Sequence, residues 1–246
     1  MSPTLIIAHR TAPPYAAENS LEGMRLAFEQ GADAVEIDLH MSLDQRPFLL
    51  HDNFMRRTTG WLLPPELTPS FVIRRRRLRG GAEHVPSLAQ ALDALPGDKV
   101  IAVDVKTPWA VMPLLGEVRR RGIAARTLVW SASALCVRYA VWRNPGWEVA
   151  YYKDYEDGPS NRAFIDRGRR LGVQAVSLDW RGINPEIVAY AHGAGLRVYS
   201  WHKTFDLTPE KLDAGLDGLI TDHPARTRRL LETLAVKSAS SLPGAG

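Results

Sequence analysis

What most constrains this chain is its alternation of short β-branched runs with amphipathic stretches of helical length, the signature of repeated βα units around a parallel sheet. Eight runs have strand character: Leu5 to Ala8, Ala34 to Leu39, Val100 to Val105, Thr127 to Trp130, Glu148 to Tyr151, Ala175 to Leu178, Arg197 to Ser200 and Gly218 to Ile220. An extra extended piece, Pro47 to Leu50, follows the second. Helical stretches between them include Ser20 to Gln30, Ser87 to Leu95, Trp109 to Arg121, Asn161 to Leu171, Pro185 to Ala194 and Ala225 to Leu234. Ser87, and Asn184 before Pro185, are expected N-caps, and Gly31, Gly122, Gly172 and Gly195 close helices. Eight such units within 246 residues match a closed TIM-type (β/α)8 barrel, an α/β fold, as a single domain over residues 1–236. A doubly wound open sheet is the alternative.

Trp61 to Val85 breaks the rhythm: Pro64, Pro65, Pro69, Gly80 and Gly81 surround the cationic run Arg74, Arg75, Arg76, Arg77 and Arg79. It reads as a long excursion from the barrel, with a solvated charged face favoured over a nucleic-acid or lipid site because no aromatic platform is interleaved. The tail 237–246, rich in Ser, Ala, Pro and Gly, is expected to be disordered.

No run of 18 apolar residues exists, and the start MSPTLIIAHRT lacks the marks of a secretion signal. The single cysteine, Cys136, offers no intramolecular disulfide, so a cytoplasmic protein without stable membrane insertion is expected. A net charge of +4 suits an anionic substrate but also an ordinary surface, and decides nothing.

In a TIM barrel the chemistry projects from strand C-termini. The first strand ends in His9-Arg10, and the second carries Glu36 and Asp38, whose i, i+2 spacing puts both carboxylates on one face. Two inward carboxylates repel each other and lose hydration unless a cation neutralises them, and a hard divalent ion, Mg2+ or Ca2+, is the economical explanation. His51-Asp52 follows the extended piece, and the third barrel strand adds Asp104 and Lys106. Two imidazoles, three carboxylates, a guanidinium and an ammonium suit phosphoryl chemistry: imidazoles exchange protons near neutrality, and cations hold phosphate oxygens.

The stretch AHRTAPPYAAENSLEGMRLAFEQGADAVEIDLHMSLDQRPFLLHDNFMRRTTG resembles the N-terminal signature of glycerophosphodiester phosphodiesterases. Its HR pair, EN-S element, E-x-D pair and HD pair followed by R-T-T-G stand in the family's order. VPSLAQALDAL, VDVKT, VYSWHKT and GLDGLITDHPAR are similar to later family elements, so the likeness runs along nearly the whole chain. The resemblance implies a TIM barrel that hydrolyses a small glycerophosphodiester to an alcohol and sn-glycerol 3-phosphate. It implies His9 and His51 as the acid/base pair, Glu36, Asp38 and Asp104 as ligands of a divalent metal ion, and Arg10 and Lys106 as phosphate contacts. Trp201 matches the tryptophan packed on the glycerol side, and Glu18 the supporting acid of the EN element.

Thr11 replaces the usual glycine after HR, and Asp104 replaces a glutamate one methylene longer. The D-x-K-T form also occurs in the related spider-type sphingomyelinase D enzymes, whose disulfides this chain lacks the cysteines to make. Rival readings are therefore a lysophospholipase D or sphingomyelinase D-like activity on the same barrel, and, in another class, a non-catalytic barrel that binds phosphodiesters. His40, His84, His192, His202 and His223 are expected on the surface or beside the site, and Asp222 is expected to cap the last helix before Pro224. Which histidine is the acid, direct water attack or a cyclic phosphate, and the oligomeric state all stay open. No nucleic-acid partner is expected.

Overall fold

The computed structural model describes residues 4–153, 161–201, 208–212 and 214–240. Its strands are β1 (Leu5–Ala8), β2 (Ala34–Met41), β3 (Pro47–Leu49), β4 (Val100–Val105), β5 (Thr127–Ser131), β6 (Glu148–Tyr152), β7 (Ala175–Asp179), β8 (Arg197–Trp201) and β9 (Gly218–Thr221). The helices are α1 (Leu21–Glu29), α2 (Arg56–Thr59), α3 (Ser70–Ile73), α4 (Leu88–Ala94), α5 (Val111–Arg121), α6 (Ala134–Trp142), α7 (Asn161–Leu171), α8 (Pro185–Gly193), α9 (Pro209–Leu212) and α10 (Pro224–Ser240).

Eight strands run parallel in the order β1-β9-β8-β7-β6-β5-β4-β2, and β1 also pairs with β2. That pairing closes the sheet into a (β/α)8 barrel and excludes the open doubly wound alternative. Period-two alternation along each strand divides the core. Val35, Ile37, Leu39, Ile101 and Val103 face outward into the layer beneath the helices. Ile7, Ala34, Ala102, Trp130, Ala150 and Tyr199 fill the barrel interior. Each fully buried branched residue of the outer layer contributes roughly 1.5–3 kcal/mol by leaving water.

The same parity turns Glu36 and Asp38 inward behind Ala34, and Asp104 inward behind Ala102. Register then sets Asp38 opposite Asp104, and Asp104 opposite Trp130. Apolar residues, alanines among them, fill the barrel interior below, while the carboxylates occupy its C-terminal end.

The connection from β2 to α4 is the long excursion. β2 outruns its expected end at Leu39 and folds back through β3, which pairs with it antiparallel, bringing Leu49 beside Leu39. Leu50 N then donates to Asp38 O at 3.1 Å, so the chain re-enters the barrel mouth just before His51. α2 and α3 follow, and Ser87 opens α4 with a reciprocal capping box to Gln90.

α10 runs to Ser240, so residues 237–240, expected to be disordered, are helical; the driving pattern of the preceding turns carries through the Ala and Ser residues, which tolerate a helix. The rest of that expected tail, 241–246, lies outside the described residues, as does His202. Among the described residues no helix is long and apolar enough to cross a membrane.

Candidate active site

His9 and Arg10 begin an unusual turn after β1. Arg10, Thr11 and Ala12 all take left-handed backbone angles, with φ of 44°, 62° and 61°. Such angles cost non-glycine residues on the order of 1 kcal/mol each, and persist only where surroundings impose them. Here the surroundings do: Asn19 N donates to Arg10 O at 2.9 Å, and Ser20 N donates to Thr11 Oγ1 at 3.2 Å. Thr11 thus sits where glycine is usual and contributes a side-chain acceptor instead. Gly23 makes room for it, since a Cβ there would lie 2.6 Å from Thr11 Oγ1. The turn aims Arg10 N at Glu36, donating to Oε2 at 2.8 Å.

Glu36, Asp38 and Asp104 are buried, and one oxygen from each lies within 4.8 Å of the other two. Burial first, and then the Asp38 charge, push the Glu36 carboxyl well above the usual range. Burial works the same way on Asp38, but Lys106, His51 and Arg10 overcome it and hold that group down. Lys106 Nζ bridges Asp38, at 2.7 Å, and Asp104. Tyr152 OH donates to Asp104 Oδ2 at 2.9 Å, while Asp104 Oδ1 is buried with no hydrogen-bond partner. Asn19 clamps Asp38 from both ends: its Nδ2 donates to Oδ2 at 2.8 Å, and its Oδ1 accepts from Asp38 N at 3.0 Å.

A hard divalent cation fits this donor set. Three carboxylate ligands converge, and one of their oxygens is buried without a hydrogen-bond partner.

Each histidine is fixed through Nδ1 by a carboxylate: His9 to Asp222 Oδ1 at 2.7 Å, and His51 to Asp52 Oδ1 at 2.7 Å. This arrangement leaves Nε2 of each ring for the cavity. Burial pulls the His9 pKa down, but the Asp222 bond and the Glu36 charge outweigh it, and the net shift is upward. For His51 burial is the largest influence, Lys106 adds to it, and the net shift is downward.

Arg57 ties the second pair into the scaffold. Its guanidinium donates to Asp52 at 2.6 and 3.0 Å and to Glu18 at 2.5 and 2.6 Å. Glu18 in turn lies 3.9 Å from Arg10. Arg10 Nε is buried 3.6 Å from Asp38 and has no hydrogen-bond acceptor.

All of the expected groups except Glu18 and Lys106 line one cavity of about 220 Å3: His9, Arg10, Glu36, Asp38, His51, Asp104 and Trp201. Glu18 stands behind Arg57, and Lys106 touches the cluster directly. Trp130, Tyr152, Ser177 and Ile220 complete the lining, and none was singled out from the sequence, where an inward aromatic on a barrel strand looks like core. Asp222 corrects an expectation: its carboxylate holds His9 across the β1–β9 seam, which the capping pattern before Pro224 could not show. Asn19 and Asp52 were visible in the EN and HD elements without an assigned task.

His40 is buried and bonds Glu66 through Nδ1 at 2.7 Å, while its Nε2 lies 3.3 Å from His51 O. His192 pairs with Asp217, and His223 lies beside Tyr15, both away from the acidic cluster.

The fold and these groups define a (β/α)8-barrel hydrolase site of the acid–imidazole type, open at the C-terminal mouth. Residues 9–127 match the model of the glycerophosphoryl diester phosphodiesterase family, a span that holds every expected site residue except Trp201. A glycerophosphodiester phosphodiesterase of Caldanaerobacter subterraneus subsp. tengcongensis is 25% identical over 243 residues, covering 90% of this chain and 95% of its own. Among solved structures, a glycerophosphodiester phosphodiesterase from Parabacteroides distasonis is 23% identical with a TM-score of 0.79, covering 94% of this chain and 98% of its own. An Oleispira antarctica phosphodiesterase, solved in complex with its product sn-glycerol 3-phosphate, is 21% identical with a TM-score of 0.79, covering 95% of this chain and 97% of its own. The family model, the curated relative and the solved structures all indicate the glycerophosphodiester phosphodiesterase family.

Proposed function

We propose that this protein hydrolyses glycerophosphodiesters to an alcohol and sn-glycerol 3-phosphate, with His9 as general acid, His51 as general base and a divalent cation on Glu36, Asp38 and Asp104. The observation that carries this reading is the pair of imidazoles, each fixed by its own aspartate, lining the same cavity as three buried carboxylates. The product bound to the Oleispira antarctica protein supports the substrate class.

A bound divalent cation supplies Lewis-acid polarisation of a phosphate oxygen and charge neutralisation for the carboxylates. Arg10, whose Nε lacks an acceptor, is placed to donate to a nonbridging phosphate oxygen, and Lys106 offers a second positive charge beside it. His51, its pKa lowered, is largely neutral near neutrality and takes the proton of the nucleophile: water, which gives glycerol 3-phosphate directly, or the glycerol 2-hydroxyl, which gives a cyclic phosphate that water then opens. His9, its pKa raised against burial by Asp222 and Glu36, is the ring that favours the protonated form and delivers its proton to the leaving alkoxide as the phosphorus–oxygen bond breaks. Trp201 forms an apolar wall on the side away from the charges, suited to the carbon skeleton of glycerol.

The test is release of glycerol 3-phosphate from glycerophosphocholine, with and without chelator, beside lysophosphatidylcholine. Turnover of the first that stops in chelator supports the reading. Preference for the lysolipid moves the protein to a lysophospholipase D reading, and near-normal turnover by His9→Ala or His51→Ala removes that residue from the mechanism, because each should lose about 10²–10⁴-fold.

A further inference from the structure

Large apolar side chains left in water are unevenly placed on this barrel. Ten of the eleven exposed among the described residues lie in connections, or first helical turns, that follow strand C-termini, and Trp142 alone ends a helix at the opposite side. Most belong to the β2–α4 connection, where Leu62 is 67%, Leu67 60% and Phe71 52% exposed. Trp109, 53% exposed, stands on the neighbouring connection after β4. Scattered exposed leucines need no explanation, but a concentration on one end does.

The same connection carries Arg74, Arg75, Arg77 and Arg79, all exposed. Among the described residues none of the four pairs with a carboxylate, in contrast to Arg57, which is held by Glu18 and Asp52. The apolar and cationic residues are tied into one body. Leu43 N donates to Thr68 O at 3.0 Å, Ser70 N to Asp44 Oδ1 at 2.7 Å, and Arg79 N to Thr58 O at 2.7 Å. Arg76 stacks on Trp61 at 4.1 Å and packs the run against the segment that carries Leu62.

We propose that this face docks the barrel, mouth first, on an anionic lipid bilayer. Exposed leucines and phenylalanine beside unpaired arginines match what a headgroup layer offers: apolar depth for the first and phosphates for the second. A second copy of the chain fits poorly, because the arginine run would meet itself. RNA fits poorly as well, since only Phe54 and Phe71 of the six exposed apolar residues in this connection carry a ring on which a base could stack. The proposal is independent of the hydrolytic reading: it concerns where the mouth sits, whatever diester enters it.

Co-sedimentation of the full chain with vesicles of phosphatidylcholine, with and without added phosphatidylserine, tests it. Binding should require phosphatidylserine and weaken as ionic strength rises. The triple variant Arg74→Gln/Arg75→Gln/Arg77→Gln should partition about a hundredfold less, at about fivefold per arginine. Leu62→Ser/Leu67→Ser should lose roughly tenfold while keeping the salt dependence. Both variants leave the cavity untouched, so unchanged melting and unchanged hydrolysis of a soluble diester verify that they fold. Absence of binding to phosphatidylserine vesicles at low ionic strength overturns the proposal, as does equal binding by the triple variant, or retention on RNA without binding to vesicles.

Discussion

Replacing Asp222 by asparagine isolates the charge that raises the His9 pKa. Asparagine preserves the size of the side chain and an acceptor for Nδ1, so the ring keeps its orientation while the negative charge 2.7 Å away disappears. A hydrogen bond to a charged group contributes about 1.5–3 kcal/mol, and 1.36 kcal/mol corresponds to one pKa unit. The His9 and Asp222 side chains retain 26% and 32% of their exposure, so solvent screening reduces the effect to about one unit.

The sign follows from the roles proposed for the two rings. His9, as acid, works while protonated, and activity falls as pH rises through its raised pKa. His51, as base, works while neutral, and activity appears as pH rises through its lowered pKa. Asp222→Asn should therefore move only the alkaline limb of the pH–rate profile, toward lower pH by about one unit, with about a tenfold loss of kcat above it. A nitrophenyl phosphodiester, whose leaving group needs little protonation, should show little of that loss. An unmoved alkaline limb, or equal impairment on both substrates, would refute the assignment of His9 as the acid.

Three further outcomes follow from the same geometry. Asp104→Glu should retain metal-supported turnover while Asp104→Ala loses it, because the orphaned Oδ1 marks a ligand position that a longer carboxylate still reaches; metal content and kcat measured together check this, and equal inactivity of the two refutes it. Gly23→Ala should cost about 1–3 kcal/mol in thermal unfolding, since its Cβ would lie 2.6 Å from Thr11 Oγ1 and 2.7 Å from Thr11 O; an unchanged Tm would show that the turn yields freely. His40→Ala should free the excursion at Glu66, seen as faster limited proteolysis between residues 61 and 85, and should lower kcat more than it alters KM, because His40 also approaches His51 O.

The barrel was legible because each strand's alternation says which residues point inward, and closure needs only eight such strands in sequence. The charged half of the site was legible for the same reason: Glu36, Asp38 and Asp104 announce themselves as carboxylates on inward positions among β-branched neighbours. The apolar half was not. Trp130 and Tyr152 carry the same inward parity as core residues, and only the closed structure shows that the barrel is unfilled beside them. Spatial pairing across the closure was equally hidden, since His9 and Asp222 are 213 residues apart and meet only when β1 joins β9.

That difference in legibility bears on how the two histidines acquired opposite shifts. His51 and Asp52 are adjacent, so their pairing is local, and Arg57 shares the Asp52 charge; burial lowers the ring most, Asp38 opposes it, and Lys106 adds to the lowering. His9 takes its partner from the far end of the chain, and among the described residues no arginine forms an ion pair with Asp222, so that carboxylate is not shared as Asp52 is. An arginine on one aspartate and none on the other adds to what separates the two His–Asp pairs, beside the Glu36 charge that raises His9 and the burial and Lys106 charge that lower His51. Removing that asymmetry should therefore bring the two pKa values together: Arg57→Gln releases the Asp52 charge toward His51 and should raise the acidic limb of the pH–rate profile. The alkaline limb, set by His9 and Asp222, should stay where it is. A profile in which both limbs moved, or neither, would show that Arg57 does not set the base.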